Sequence, residues 1–192
     1  MTNSLTMFSE QRIAQMATYL LQKRGGRMAY IKLLKLLYLV DREAMAKWGE
    51  SISGDCFVSM PHGPVLSQTY DLIRGFGSSV EGGWDYWIKD EDNYEVSLRR
   101  KTVNRDSLDE LSDAELELLD GVFEKFGYMK RFEISQYTHD HCAEWEDPHG
   151  SSFPISPEAV FRAVETDENR IQALLRQHKT LVDLDTARIL LR

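Results

Sequence analysis

The stretch YIKLLKLLYLVDREAMAKWG, from Tyr30 to Gly49, decides how this chain folds. Its first half has apolar side chains around most of a helix circumference, at Leu33, Leu34, Leu36, Leu37, Tyr38 and Val40. A helix with so wide an apolar surface is buried from more than one side. The stretch therefore predicts a central helix, ending at Gly49, against which the rest of the chain packs.

One charged side chain, Asp41, interrupts the apolar surface of this helix. It lies four residues after Leu37 and four before Met45, so it shares their face. A buried carboxylate needs hydrogen-bond donors, and burial raises its pKa, as in a general base. The sequence places no nucleophile beside it. We therefore expect Asp41 to tie the helix to a neighbouring turn.

The segment MPHGPV, residues 60–65, follows a strand-like stretch and holds a histidine between two prolines. The prolines restrict the backbone, and Gly63 permits dihedral angles that other residues avoid. His62 is then either a rigidly presented imidazole for chemistry or part of a strand-to-helix corner. We expect the corner, with His62 bonded to a neighbour such as Asp41 and with Pro64 at the first position of the next helix.

The remaining periodicity is mainly helical. Helices are predicted at about residues 9–24, 64–76, 112–126, 132–145, 156–164 and 167–178. A strand is predicted at 56–60 and a hairpin at 84–100, with alternating apolar residues on either side of an acidic turn. The expected fold class is α+β, mainly α: a single helical domain with one small antiparallel sheet made of a strand and a hairpin.

Composition narrows the classes of function. The chain has 192 residues, a formal net charge of −8 and two cysteines, which make no disulfide framework. No signal peptide and no apolar run of about 18 residues is present, so we expect a cytoplasmic protein without a membrane span. An acidic surface repels nucleic acid phosphates, so nucleic acid is an unlikely partner and a basic protein is favoured.

The segment THDHC contains His139, His141 and Cys142, residue types that bind zinc. On a helix, residues 139 and 141 point about 200° apart, so they cannot share a metal unless the helix ends there. We expect structural or surface histidines and no metal site. Phosphate-binding, nucleophile-elbow and metalloprotease motifs are missing from the sequence as well. The expectation is a protein without catalytic residues or cofactors, and a hydrolase built on Asp41, His62 or a metal is a remote alternative.

A helix-turn-helix is the second alternative. The helices at 113–126 and 132–142 are joined by GYMKR, and the second would present basic and polar groups at Lys130, Arg131, Gln136 and His139. The segment from Asp106 to Asp120 is strongly acidic, which opposes DNA binding. The basic groups of the second helix nevertheless keep a transcription regulator of its own operon as the alternative function.

Two blocks of this sequence resemble the Panacea domain of SocA-like and GepA-like antitoxins of bacteria and phages. The first block comprises Lys35–Asp41, Gly49, Ile52, Phe57-Val58 and His62-Gly63-Pro64-Val65. The second comprises the serine-capped helix from Ser112 to Gly127, then Thr138-His139 and Trp145. The resemblance covers about residues 8–150 and leaves 151–192 as a C-terminal helical extension, packed on the domain or trailing from it.

The resemblance implies an antitoxin that binds and neutralises a cognate protein toxin. It does so by masking the toxin or as an adaptor that delivers it to the ClpXP protease, with ClpX or a similar AAA+ component as a second partner. Neither action requires catalysis by this chain. We expect the motif residues to hold the fold; they are Asp41, His62, Gly63, Pro64, His139 and Trp145.

Three surfaces are candidates for contact with the partner. They are the acidic helix with Asp109, Asp113 and Glu117, the aromatic hairpin with Trp84 and Trp87, and the apolar tail with Leu184 and Leu190. Core packing is the alternative for the hairpin aromatics. Docking on its own domain is the alternative for the tail, which runs from residue 181 to 191.

Overall fold

The computed structural model describes residues 8–76, 78–100 and 104–191. Its α-helices are α1 (Glu10–Lys23), α2 (Tyr30–Trp48), α3 (Ser67–Ile73), α4 (Trp84–Trp87), α5 (Asp113–Phe126), α6 (Arg131–His141), α7 (Pro157–Val164) and α8 (Glu168–Leu190). Its strands are β1 (Arg27–Ala29), β2 (Phe57–Met60), β3 (Gly63–Leu66), β4 (Ile88–Glu91), β5 (Glu95–Leu98) and β6 (Phe153–Pro154). The mainly helical α+β class is confirmed.

Helix α2 is the centre of the molecule, as its sequence predicts. Its leucines at 33, 34, 36 and 37 are buried. It contacts α1, α5, α6, α7 and the strand β3, so it is enclosed from several sides. Gly49 ends the helix with φ 76°, a left-handed conformation in which glycine carries no steric cost.

The predicted starts of the helices near residues 9, 112 and 156 are also confirmed, and each has a capping serine. Ser9 and Ser156 accept hydrogen bonds from Arg12 N and Ala159 N, at the starts of α1 and α7. Ser112 and Glu115 form a capping box at the start of α5. These side chains satisfy amide groups that the first turn of a helix leaves without partners.

The strands form two antiparallel sheets of three strands, in the orders β1-β5-β4 and β3-β2-β6, where a single sheet was predicted. β1 has three residues and β6 has two, which is too short for an alternating pattern in the sequence. β3 was predicted as the start of a helix. Instead, Met60 pairs with Gly63 and Ser59 with Pro64, so MPHGPV closes a β-hairpin and α3 begins only at Ser67.

Two other predicted elements have different bounds. The hairpin predicted at 84–100 opens with the short helix α4, and its first strand begins at Ile88. Helix α6 ends at His141, so Trp145 lies in the loop that follows rather than on the helix. That loop turns back toward β2, where Trp145 finds its hydrogen-bond partner.

The C-terminal segment is attached through both a strand and a helix. β6 pairs with β2, and α7 packs on α2. α8 runs without a break to Leu190, where a shorter helix and a separate tail were predicted, and its residues Ile171 and Leu174 are buried. The division near residue 150 stays a prediction. None of the described helices has the length and apolar character that a membrane crossing requires.

Candidate functional site

The β2–β3 turn is held by side chains from distant parts of the sequence. Three of its carbonyl groups, at alternate positions, each accept one side-chain hydrogen bond. The bonds join Trp145 Nε1 to Met60 O (3.0 Å), Ser135 Oγ to His62 O (2.9 Å) and Lys35 Nζ to Pro64 O (2.7 Å). These six residues are called the turn clamp below. The clamp fastens the hairpin to α2, to α6 and to the loop after α6.

Gly63 lies at the tightest point of the turn clamp. Its φ is +93°, which side-chain-bearing residues rarely adopt. A Cβ atom here would lie 3.0 Å from both Lys35 Nζ and Thr138 Oγ1. Both the backbone angle and the close approach of the two neighbours therefore require glycine, which agrees with a structural role for this position.

Lys35 is fully buried at the base of the clamp. Burial lowers the pKa of its amine to about 7. Burial also raises the pKa of Cys142 to about 12, so this thiol stays protonated near neutrality. The amine donates to Pro64 O in either charge state, so the clamp does not depend on its ionisation.

His62 and Asp41, which the sequence suggested as partners, are not brought together. The His62 side chain is exposed, and the residue joins the clamp through its carbonyl oxygen. Asp41 is fully buried and accepts hydrogen bonds from Ile52 N (2.9 Å), from Ser53 N (3.1 Å) and from Ser53 Oγ. Asp41 thus ties α2 to the loop that follows it, and not to the hairpin.

The environment of Asp41 sets its charge. Burial raises the pKa of this carboxyl to about 7, against the hydrogen bonds from Ser53 and Ile52, which lower it. A carboxyl so enclosed has no open side at which a substrate proton could be taken up. Its three donors are the contacts of a tie between helix and loop, the role favoured by the sequence.

A second buried carboxylate, Asp55, supports α3. It accepts hydrogen bonds from Gln68 N (2.9 Å), Thr69 N (2.8 Å) and Thr69 Oγ1 (2.6 Å). The residue at the N-cap of α3 is Leu66, which makes no side-chain cap. Asp55 therefore caps α3 from 13 and 14 residues upstream, and it fixes the end of the hairpin opposite the turn.

Glu144 connects the loop after α6 to the central helix. It accepts hydrogen bonds from Tyr38 OH (2.5 Å), Arg42 Nε (2.6 Å) and Arg42 Nη2 (3.2 Å). Burial lowers the pKa of Arg42, but the bonds and charge of Glu144 outweigh it and the net pKa is raised. This two-pronged pair fixes the loop immediately before Trp145, so it positions the indole of the clamp.

His139 and Trp145 are in contact, with ring centroids 4.0 Å apart, and His141 stacks on Tyr137 at 4.3 Å. Both histidines are exposed. In the described parts of the chain, no group of three or more His, Cys, Asp or Glu side chains is arranged to hold a metal ion.

Sequence reasoning identified Gly63, Pro64 and Trp145 as structural but missed the donors Lys35 and Ser135, as well as Glu144. Lys35 could have been found, because it interrupts the apolar arc of α2 between Leu34 and Leu36 just as Asp41 does. Ser135 and Glu144 carry no such signal, since neither interrupts a continuous apolar stretch.

The predicted contact residues of the hairpin are not on the surface. Trp84 is 2% exposed and Trp87 is 6% exposed, and Trp87 Nε1 donates to Gly82 O at 3.1 Å. Their role as partner contacts is therefore contradicted, and the alternative of core packing holds for both. The exposed aromatic residues of this region are Tyr86 and Tyr94.

The other two predicted surfaces are accessible. Asp109, Asp113 and Glu117 are exposed, along and just before α5. Asp109 accepts from Gln15 Nε2 at 2.8 Å, and Asp113 pairs with Arg105 at 2.7 Å. On α8, Leu184 and Leu190 are 53% and 81% exposed.

Residues 33–146 match the model of a protein family described as antitoxin SocA-like, Panacea domain. The match spans more than half of the 192 residues and contains the whole turn clamp together with Asp41, Asp55 and Glu144. No curated protein and no solved structure matches the chain.

Proposed function

Because this chain belongs to the SocA-like antitoxin family with the Panacea domain, we propose that it neutralises a toxic protein by binding it directly and catalyses no reaction. The family match over residues 33–146 is the observation that carries the proposal. The proposal places the protein in the cytoplasm, together with its toxin.

The use of the buried charged groups supports a role without catalysis. Lys35, Asp41 and Glu144 are each occupied by hydrogen bonds that join one element of the fold to another. Groups that serve as acids or bases must reach a substrate proton. Asp41 and Lys35 are fully buried, so their contacts favour a binding scaffold over an active site.

The charge distribution favours a basic surface on the toxin. The net charge is −8, and Asp109, Asp113 and Glu117 are exposed near the start of α5. Acidic and basic surfaces attract at a distance and thereby speed association. We infer that this acidic ridge guides the toxin to the antitoxin.

Two modes of neutralisation are open to such a complex. In the first, the antitoxin covers the active surface of the toxin. In the second, it also delivers the toxin to ClpXP, and the end of α8, with exposed Leu184 and Leu190, is an apolar element suited to ClpX or a similar AAA+ component.

The test is growth of cells that express the neighbouring open reading frame, with and without this chain, while the half-life of the neighbour is followed. Rescue with a stable neighbour supports masking. Rescue with a shortened half-life that depends on ClpX supports the adaptor. If the neighbour is harmless, or toxic without rescue, the proposal fails, and salt-sensitive binding of this chain to its own promoter becomes the next measurement.

A further inference from the structure

Two half-buried and two exposed aromatic rings form a cluster with an arginine between α3 and the β4–β5 hairpin. Its members, called the aromatic–arginine patch, are Tyr30, Tyr70, Arg74, Phe76 and Tyr94. The Arg74 guanidinium carbon lies 5.8 Å from the ring centroids of both Tyr70 and Phe76. The rings of Tyr30 and Tyr94 meet edge to face at 6.2 Å.

The two halves of the patch are close enough to interact electrostatically. Burial raises the pKa of the Tyr30 phenol, as do the phenols of Tyr70 and Tyr94, whereas Arg74 lowers it. Tyr30 therefore lies within electrostatic reach of both halves. Phe76 is 63% exposed and Tyr94 is 75% exposed, so the apolar area faces outward. Tyrosine, arginine and phenylalanine are the residue types enriched at the centres of protein interfaces.

The backbone at Tyr94 is an independent observation. Asn93 and Tyr94 have φ 64° and 61° at the tip of the hairpin. Tight hairpin turns place glycine in this left-handed region, and a bulky residue there is strained. Stability alone favours glycine at this position. Backbone strain of this kind is characteristic of functional sites, and here it holds an exposed phenol at the tip of the hairpin.

The positive charge of Arg74 favours a ligand with a carboxylate. Within the described ranges, Arg74 pairs with no carboxylate, and its hydrogen bond goes to Tyr70 OH at 3.2 Å. A guanidinium has five N–H donors in a planar fork that matches a carboxylate. One N–H of Arg74 is used by Tyr70, so the other donors of the fork remain for a ligand, and the two rings near it offer apolar contact.

We propose that the aromatic–arginine patch binds a segment of the partner toxin in which an acidic side chain lies beside an aromatic or aliphatic one. The carboxylate is received by Arg74 and the tyrosine hydroxyls, and the apolar side chain by Phe76 and Tyr94. This inference rests on the proposed antitoxin function. It gives the toxin two contacts of opposite sign, a basic one for the acidic ridge and an acidic one for the patch, which together fix its orientation.

The first test measures binding of the purified neighbour protein by calorimetry. Arg74→Ala and Tyr94→Gly should each weaken binding at least about tenfold, as expected at an interface centre. Tyr94→Gly should melt close to the parent protein, because relief of the positive φ offsets the lost ring contact with Tyr30. Tyr128→Ser removes an aromatic ring of equal exposure, 76%, from the α5–α6 connection and should leave binding within about twofold.

The outcomes are distinct from those of the growth test. A neighbour that the parent chain binds and that both patch variants bind with parental strength overturns the assignment of the patch, while the antitoxin function stands. If the parent chain does not bind the neighbour protein, the result counts against the antitoxin function. The ligand preference of the patch is then measured with the peptides and the oligonucleotide of the second test.

The second test uses a fluorescent peptide of alternating glutamate and phenylalanine, the same peptide with lysine for glutamate, and a single-stranded oligonucleotide. Anisotropy should rise with the glutamate peptide and the parent protein, and this rise should be lost with Arg74→Ala and with Tyr94→Gly. No binding of the glutamate peptide, equal binding of the lysine peptide, or binding retained by the variants overturns the inference. Binding of the oligonucleotide in place of the peptide reassigns the patch to nucleic acid.

Discussion

Asp41 is a carboxylate enclosed by the core of an acidic protein, and two backbone amides and one hydroxyl hold it. Removing the acceptor leaves these donors buried without partners, a loss that costs about 1–3 kcal/mol for each unsatisfied group. Asp41→Ala should therefore lower the free energy of unfolding by at least about 3 kcal/mol in urea titrations near neutral pH.

Asp41→Asn is the matched control, since its amide oxygen still accepts from Ile52 and Ser53. It should stay within about 1 kcal/mol of the parent protein. A melting temperature of Asp41→Ala equal to that of the parent, together with lost toxin binding, would assign Asp41 to the interface instead of the fold.

Asp41 and Lys35 also make stability depend on pH, in opposite directions. The pKa of Asp41 is raised from 3.8 to about 7 in the folded state, so its stabilising contribution is complete below 3.8 and is lost as the pH rises through about 7. The pKa of Lys35 is lowered from 10.5 to about 7, so its contribution is complete above 10.5 and is lost as the pH falls through about 7. For this pair, stability is lowest near neutrality.

Urea titrations at about pH 5, 7 and 9 test this dependence, because the two windows are separate. Asp41→Asn should flatten the acidic side of the profile and leave the alkaline side. Lys35→Met should do the reverse. A parental slope on the acidic side in Asp41→Asn would mean that other carboxyl groups set it.

Gly63 provides another test at the scale of single residues. Gly63→Ala should destabilise the fold by about 2–4 kcal/mol, since it combines an unfavourable φ with contacts at 3.0 Å. Gly25→Ala is the control, because Gly25 has φ +88° and nothing lies within 4 Å of its added Cβ. The difference between the two melting temperatures isolates the crowding in the turn clamp, and equal losses would show that the backbone angle alone requires glycine.

At the scale of elements, helix α8 has two unlike halves. The first half buries Ile171 and Leu174, and Gln177 Nε2 donates to Trp48 O at 2.6 Å. The second half exposes Leu184 and Leu190. The first half thus belongs to the packing of the domain, whereas exposed leucines on the second half leave it free for a partner.

Truncation separates these roles. A chain ending at Thr180 should lose less than about 2 kcal/mol of stability, and one ending at Asp167 more than about 3 kcal/mol, from the burial of two aliphatic side chains alone. If the second half of α8 contacts ClpX, the chain ending at Thr180 keeps toxin binding but restores the long half-life of the toxin. A toxin degraded as before would place the contact elsewhere.

Elements whose own sequence has a regular apolar periodicity were predictable, and short elements that depend on contact with a distant segment were not. The periodicity of α1, α2 and α5 extends over three or more turns and marks a buried face. β1 and β6 have three and two residues, and they form because a neighbouring strand offers hydrogen bonds, while the four residues of α4 are too few for a helical period. Pro64 follows a turn and could begin either a helix or a strand, and the pairing of β2 with β3 decides for the strand.

The candidate site divides in the same way. A glycine between two prolines indicates an unusual backbone conformation at Gly63, and Asp41 is a charged residue within an apolar surface. Both were therefore recognisable from the sequence. The partner of each was not, because hydrogen bonds between residues far apart in sequence leave no local periodicity. Trp84 and Trp87 were misplaced because the alternation in their segment predicts a strand, whereas the short helix α4 turns both rings inward.

For the whole molecule, the net charge of −8 predicts how a basic toxin is captured. Raising the salt concentration should slow association without a matching change in dissociation, because long-range attraction acts on the approach. Stopped-flow measurements of the neighbour protein across a salt series provide the check. Replacing Asp109, Asp113 and Glu117 by their amides should flatten the dependence, and an unchanged salt slope would remove the acidic ridge from the approach.

The separation in sequence between the two sides of the turn clamp has a consequence for protein synthesis. Met60 and Trp145 are 85 residues apart, and ribosomes add roughly 5–20 residues per second. About 4–17 s therefore pass between the synthesis of the hairpin and that of its last clamping residue. Throughout this interval the nascent hairpin lacks the indole that completes it. A ribosome that stalls anywhere between these two codons displays an unfinished hairpin, open to chaperones and proteases, so the supply of folded antitoxin depends on uninterrupted translation through codon 145.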